Sequence, residues 1–357
     1  MKKMLNYINV FRGLAILLII AGHTMQFGSA GSLVNKVSVE IFTGGTALFI
    51  FISGFLFQHL SGKYEFKNYM KKKWTNVVMP YLFTAIPGIL FCFLFPIRYG
   101  NAFDGLNPLL QIPMMLTVGR VHNTPAWFIP MIILFFFSSY ALLKLEKKGV
   151  LYKLLPVMFL FTIFFPRVDV DYNSVMGLSY GAKYFAYLKY VIFGYLHFFS
   201  MYVFGMYLSA NKNIIDKLYN FRWVFIILML AASYINIFTQ YRNGTVSKIF
   251  LTIIVLAYLK HYDDWFISHD KLNKALDFTA KYSFGLFFIH WYVFFIYNVV
   301  FQLPNVVPLT GGYLATLGLV ILRFAAVTLI SLFILWIGKE ILLGINSETN
   351  TRKFFGV

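Results

Sequence analysis

Cysteine and acid are scarce in this chain. Its one cysteine, Cys92, among 357 residues excludes a disulfide framework and a paired-cysteine metal site. Placed inside an apolar run, it reads as a small core side chain. Asp and Glu number 13 against 31 Lys and Arg, and charged residues of both signs make up only 12% of the chain. A soluble domain carries roughly 25%, so the shortage excludes an ordinary water-soluble domain. The His-Glu-x-x-His, P-loop and Gly-x-Gly-x-x-Gly patterns are also absent, which removes the common zinc-protease and nucleotide-binding signatures. No internal repeat or low-complexity tract interrupts the chain.

What is present is apolar. Hydrophobic residues account for 59% and aromatic ones for 20%, with a mean hydropathy of +0.71. Runs of about 20 such residues recur from end to end, each enough to cross a hydrocarbon core of roughly 30 Å as a helix. We place spans near Asn6–Phe27, Val39–Leu60, Thr75–Ile97, Ala126–Leu145, Leu151–Pro166, Leu188–Ser209, Arg222–Gln240, Ser247–Leu259, Ser283–Phe301 and Tyr313–Leu343. The first lacks a small-residue cleavage site and is followed almost at once by the second, so it reads as a retained helix. The expected fold is all-α, a polytopic integral membrane protein of about ten transmembrane helices. It comprises one membrane domain over residues 1–345 and a short cytosolic tail over 346–357.

Basic residues orient the chain, because Lys and Arg accumulate in cytoplasmic loops. With the N-terminus inside, 21 fall on the inner side, among them Lys2, Lys3 and five in Gly62–Trp74. Eight fall outside: Lys36, Arg98, Arg120, Arg167, Lys183, Lys189, Arg242 and Lys248. Both termini are therefore expected in the cytosol. The net charge of +18 then serves topology and anionic lipid, and nucleic-acid binding is not expected. The largest outer loops lie between Arg98 and Pro125 and between Arg167 and Tyr187.

Ionisable residues at membrane depth are the candidates for chemistry, since lipid penalises them unless they face the bundle interior or a cavity. They are Arg12, His23, Glu40, His197, His290 and Arg323. Arg12 and His23 are eleven residues apart, which brings the two side chains within about 20° of one another on one helix face, roughly 16 Å apart along the axis. They form an inner and an outer station on one face, unless Arg12 snorkels to inner headgroups and His23 rests in the outer interface. Glu40 opens the second span level with His23. It either orients the imidazole as a carboxylate does in a triad or is a solvated helix-start residue. Arg323 has no acid nearby in sequence and must pair across the bundle, with Glu40 or an anionic ligand as options. His197 reads as a hydrogen-bonded core residue. Ser53 has no neighbouring base and reads as a small residue that lets helices approach. His261, Asp263, Asp264, His269 and Asp270 share a loop but follow no metal-ligand spacing, so a solvated loop and no metal is expected.

The opening stretch "FRGLAILLIIAGH" resembles the Arg, ten residues, His motif of acyltransferase family 3, bacterial membrane O-acyltransferases of cell-surface glycans. The other segments follow in that family's order. They are "ALFIFISGFLF" with Ser53, Gly54 and Phe55; "YMKKKWTNVVMPYLF" with Pro80; "PAWFIPMIILF" with Trp127; and "KYSFGLFFIHW" with Tyr282 and His290. One departure stands out. The family has two basic residues three apart before that proline, whereas here Lys73 is followed by Asn76. Lys71 and Lys72 are adjacent charges. The chain also shows no appended extracytoplasmic hydrolase-like domain, so transfer is expected within the membrane domain.

The resemblance implies transfer of an acyl group, most commonly acetyl, from cytosolic acyl-CoA to a hydroxyl of an extracytoplasmic or lipid-linked glycan such as capsule or exopolysaccharide. It implies no permanently bound cofactor, a bacterial cytoplasmic membrane location, and contact with membrane lipid and with envelope-glycan assembly proteins. Under that implication His23 is the general base or the acyl carrier, with Arg12 and Glu40 beside it. Arg12, Lys71, Lys72 and Lys73 receive the anionic donor, and Ser53, Trp127, Tyr282, His290 and Arg323 support the site. A transporter or flippase for a glycan or lipid-linked precursor would share the spans and buried charges, and a noncatalytic assembly partner is a third reading. Against transport, the sequence shows no inverted repeat.

Overall fold

A computed structural model describes residues 5–95, 102–121, 125–167, 170, 172–309 and 311–356. Lys2, Lys3 and Arg98, used above to orient the chain, lie outside the described residues. Helices account for the regular structure, in the order α1 (Asn6–Thr24), α2 (Leu33–Phe42), α3 (Gly45–Leu60), α4 (Phe66–Lys73), α5 (Met79–Leu94), α6 (Pro108–Val118), α7 (Phe128–Lys147), α8 (Leu155–Phe164) and α9 (Tyr180–Ala210). There follow α10 (Lys212–Asn220), α11 (Arg222–Phe238), α12 (Gly244–His261), α13 (Asp263–Ser268), α14 (Asp270–Val300), α15 (Tyr313–Ile345) and α16 (Arg352–Phe355), and a short helical turn, Tyr172–Met176, lies between α8 and α9.

Among the described residues eight helical stretches are long and apolar enough to cross a membrane, and α10 with α11, bent by 79° at Phe221, would make a ninth. The chain is an all-α polytopic membrane protein. The expected span Leu151–Pro166 is too short. Its 3-10 turn and α8 cover Leu151–Phe164, about 21 Å of rise against a core of roughly 30 Å. The span placed at Val39–Leu60 is two helices, so Glu40 does not open a helix but lies near the end of α2. The break is built by Gly44, whose φ of 90° suits glycine and whose missing Cβ leaves room for the Lys248 side chain. The loop expected between Arg98 and Pro125 contains α6, opened by Pro108 after Asn107, whose side chain accepts from Leu109 N–H. Lys183, Lys189 and Lys248, read above as loop residues, are inside α9 and α12. The supposed loop from His261 to Asp270 is mostly the short helix α13.

Contacts divide the chain into two compact units. The first comprises Met1–Lys63, Leu154–Pro166 and Ser200–Gly338. At its centre α1 buries thirteen of its nineteen residues, and these fall on all sides of the helix, as in an interior span. By contrast α11 buries none. On α15 the buried residues Thr316, Val320, Arg323, Val327, Ser331 and Leu335 form one stripe at spacings of three and four. The tightest contact is reciprocal: a Cβ on Gly54 of α3 would lie 2.0 Å from the carbonyl oxygen of Tyr202, and one on Gly205 would lie 2.1 Å from that of Phe51. Backbones meet there because neither residue has a side chain.

Gly54→Val should therefore lower thermal stability in detergent by several degrees or prevent folding, since neither backbone can yield cheaply. Gly62→Val, which meets open space, should leave it nearly unchanged. Equal melting temperatures for the two variants would contradict the packing.

The second unit comprises Tyr64–Lys153, Arg167–Phe199 and Lys339–Val357. Here α4 passes into α5 through a π-helical turn, Trp74–Val78, in which Met79 N–H bonds to Trp74 O. Pro80 explains the widened turn: it offers no N–H to the carbonyl of Asn76 and its ring would crowd that oxygen in a regular helix. Tyr64 Oη and Ser139 Oγ, 2.9 Å apart, tie the start of α4 to α7. Cys92 is buried, as its apolar setting suggested.

Candidate active site

In the first unit, α1 and α14 lie side by side and run in the same direction. Gly13 permits the approach, because a Cβ there would sit 2.7 Å from the carbonyl oxygen of Leu276. Near their starts Asn9 donates to the Asp277 carboxylate, and Asn6 donates to Asp263 Oδ1 at 2.9 Å. Burial raises the Asp263 pKa above the usual carboxylate range, while the bond from Asn6 acts in the opposite direction. The Asn9–Asp277 bond sets the register of the pair, and the Asn6–Asp263 bond ties the start of α1 to α13. Further along, the same register brings His23 of α1 against His290 and Trp291 of α14. The imidazoles are 5.4 Å apart, and His23 meets the indole edge to face at 4.9 Å.

The two histidines differ in setting. His23 is half-buried and His290 fully buried. His290 Nδ1 lies 2.6 Å from the carbonyl oxygen of Leu286. A carbonyl only accepts, so Nδ1 carries the proton, and the neutral ring keeps its lone pair on Nε2. That Nε2 is buried with no hydrogen-bond partner among the described residues. A buried, preset proton acceptor therefore lies in the ring beside His23.

Arg323 fixes the far end of α1. Its Nε donates to Thr24 O at 2.8 Å, Nη1 to Pro304 O at 2.9 Å and Asn298 Oδ1 at 3.4 Å, and Nη2 to Asn305 O at 3.1 Å. Its guanidinium also lies 5.2 Å from the Phe294 ring centre. Thr24 follows His23 directly. The segments after α1 and α14 are zipped as well, by Gly28 N–H to Val307 O and Val307 N–H to Gln26 O. Of the two options for Arg323, Glu40 is not its partner: carbonyl dipoles of three backbone groups take up the charge. Glu40 is buried, and its carboxylate accepts from Ser233 at 2.9 Å, Ser247 at 2.5 Å and Asn236. Lys248 Nζ donates to the Glu40 carbonyl at 2.5 Å. Neither a solvated position nor a bond to His23 describes this carboxylate; it ties α2 to α11 and α12.

In the second unit, Asn68, Lys71, Lys72, Thr75 and Asn76 line one wall of a cleft of about 800 Å³, with Asn350 and Arg352 on another. Lys73 is turned elsewhere, its ammonium over the rings of Phe136 at 4.7 Å and Tyr69 at 5.2 Å. Trp127 carries the Arg167 guanidinium 3.5 Å from its ring centre. Arg167 and Arg120 also share the Tyr190 ring, at 4.6 and 5.1 Å.

A family model described as an acyltransferase domain matches residues 5–338. The chain belongs to acyltransferase family 3. No curated protein and no solved structure matches it.

For this acyltransferase, the residues singled out by motif divide clearly. His23 and His290 come together, and Arg323 reaches the residue next to His23. Arg12 is half-buried on the same helix as His23. Ser53 Oγ donates to Phe49 O of its own helix at 2.8 Å, beside the Gly54 contact, which suits the close-packing reading. Tyr282 is buried on α14 against Phe278, with ring centres 4.6 Å apart. His197 is fully buried with its ring 4.9 Å from Phe198. Sequence reasoning missed the carbonyl cradle of Arg323, the polar cluster around Glu40 and Arg352. No motif or period marks backbone carbonyls, and Arg352 lies beyond the matched residues.

Proposed function

We propose that this acyltransferase moves an acyl group, acetyl first among candidates, from acyl-CoA to a hydroxyl of an extracytoplasmic or lipid-linked glycan in a bacterial cytoplasmic membrane. Both termini face the cytosol in this reading. The observation that carries it is the pairing of the His23 imidazole, on the helix that also bears Arg12, with the His290 imidazole of α14. In the transfer, the acceptor oxygen attacks the thioester carbonyl carbon and the C–S bond breaks. The hydroxyl proton passes to the imidazole of His23 and from there to the departing CoA sulfur, leaving an ester and CoA thiol. His290, with its lone pair already on Nε2, accepts a hydrogen bond from the acceptor hydroxyl or from His23. Arg12 supplies a permanent, forked cation for the polar part of the donor.

Purified protein in nanodiscs, given labelled acyl-CoA and a glycan acceptor, should form a labelled, base-labile ester on the glycan. Label held on the wild-type protein but not on His23→Ala when acceptor is omitted would assign His23 as acyl carrier in place of base. Movement of glycan across the bilayer without ester formation would support transport and overturn the reading.

A further inference from the structure

Residues 68, 71, 72, 75 and 76 follow the i, i+3, i+4, i+7, i+8 pattern that places side chains on one helix face. In this chain they are Asn68, Lys71, Lys72, Thr75 and Asn76, a polar stripe that forms one wall of the 800 Å³ cleft in the second unit. Lys73 is off that stripe, which is why its ammonium meets Tyr69 and Phe136 instead. The opposing wall comes from residues beyond the family match: Asn350 and Arg352.

That segment is anchored in its own unit. The Phe354 ring packs on Phe83 of α5 with centres 4.9 Å apart. The Asn350 side-chain oxygen accepts from Arg352 N–H at 3.2 Å, so the amide nitrogen is the group Asn350 has left to offer. The cleft is thus lined by three cations and by amide and hydroxyl donors. No acid is among its lining residues, although Glu65 accepts a bond from Asn68 at its margin. A cleft of this size and sign suits a phosphorylated small molecule. Asn76 holds the position where the family pattern has a second basic residue, and Arg352 lines the same cleft.

We infer that the C-terminal segment completes the donor site of this enzyme, with Arg352 supplying the phosphate contact that Asn76 does not. The inference rests on acyl-CoA being the donor. It assigns Lys71, Lys72, Asn350 and Arg352 to the phosphates of the nucleotide end, and none of them to the thioester.

The test uses the full chain in phosphatidylcholine nanodiscs, with CoA binding measured directly. Arg352→Ala should weaken CoA binding about tenfold and Arg352→Lys by much less. Adding Asn76→Arg to Arg352→Ala should recover most of the loss, which also shows that the variant is folded. Turnover of acyl-pantetheine, which lacks the nucleotide phosphates, should be the same in wild type and Arg352→Ala. Wild-type CoA affinity in folded Arg352→Ala overturns the inference while leaving the acyltransferase reading intact. An effect confined to nanodiscs containing anionic lipid would also overturn it, assigning Arg352 to a headgroup. A wild-type protein that binds no CoA overturns the donor reading itself.

Discussion

Replacing His23 by alanine should lower acyl transfer by about 10³-fold, the range expected when a positioned general base is removed, while leaving the protein in the membrane at its normal level. The second half of that expectation comes from how α1 is held. Asn6 and Asn9 bond to Asp263 and Asp277 at one end, and Thr24 O bonds to Arg323 at the other. None of these uses the imidazole. His23 contributes ring contacts to His290 and Trp291, whose loss trims packing without releasing the helix. The measurement is twofold: O-acyl esters on surface glycans by NMR in the native cell, and melting temperature of the purified variant. Wild-type ester levels in a well-expressed His23→Ala strain would remove His23 from the chemistry. A collapse in both esters and melting temperature would make it a structural residue.

Arg323→Ala should have the larger effect on stability. The guanidinium is fully buried and serves four acceptors, Thr24 O, Pro304 O, Asn305 O and Asn298 Oδ1. Truncation leaves those oxygens facing a void, at a cost on the order of 4 kcal/mol given that hydrogen bonds to charged groups contribute about 1.5–3 kcal/mol each and do not add fully. Arg323→Lys restores charge but not the fork, because one ammonium cannot span acceptors on α1 and on the segment after α14. The lysine variant should therefore fold and bind donor with near-normal KM yet turn over at least tenfold more slowly, reflecting a displaced His23. A kcat equal to wild type in that variant would show that the carbonyl cradle is not needed to position the histidine.

Helix positions are legible in this sequence because most of the apolar runs match the thickness of a bilayer; among the described residues Leu151–Phe164 is a helical run too short to do so. Their breaks are less so. The turn at Thr43–Gly44 falls inside the expected span Val39–Leu60, because the almost uniformly apolar run from Ala47 to Phe57 gives hydropathy no sharp edge. The same uniformity hides which side of α15 is buried: Val320, Val327 and Leu335 face inward, while Leu322 and Leu329 are exposed. Only Arg323 marks the stripe, and it does so because an unpaired cation is so costly there. Within the candidate site, His23 and His290 were visible as motif members, but nothing in their separation of 267 positions indicated contact. Glu40 shows the limit most plainly. Its level relative to His23 suggested a triad, whereas its partners Ser233, Asn236 and Ser247 come from helices nearly two hundred residues away, and no pattern connects them.

The side-by-side placement of α1 and α14 also bears on how the protein is made. The helix that presents His23 is synthesised first, and the helix that receives it is completed some 270 residues later. At synthesis rates of about 5–20 residues per second, α1 waits many seconds with Asn6, Asn9 and His23 short of their final partners. The site is therefore a late product of biogenesis, and polar side chains in lipid create a demand for interim shielding by lipid headgroups or insertion machinery. Lesions in α14 should then be felt first as turnover of newly inserted chains by membrane quality control, before any enzyme has formed whose activity could be impaired.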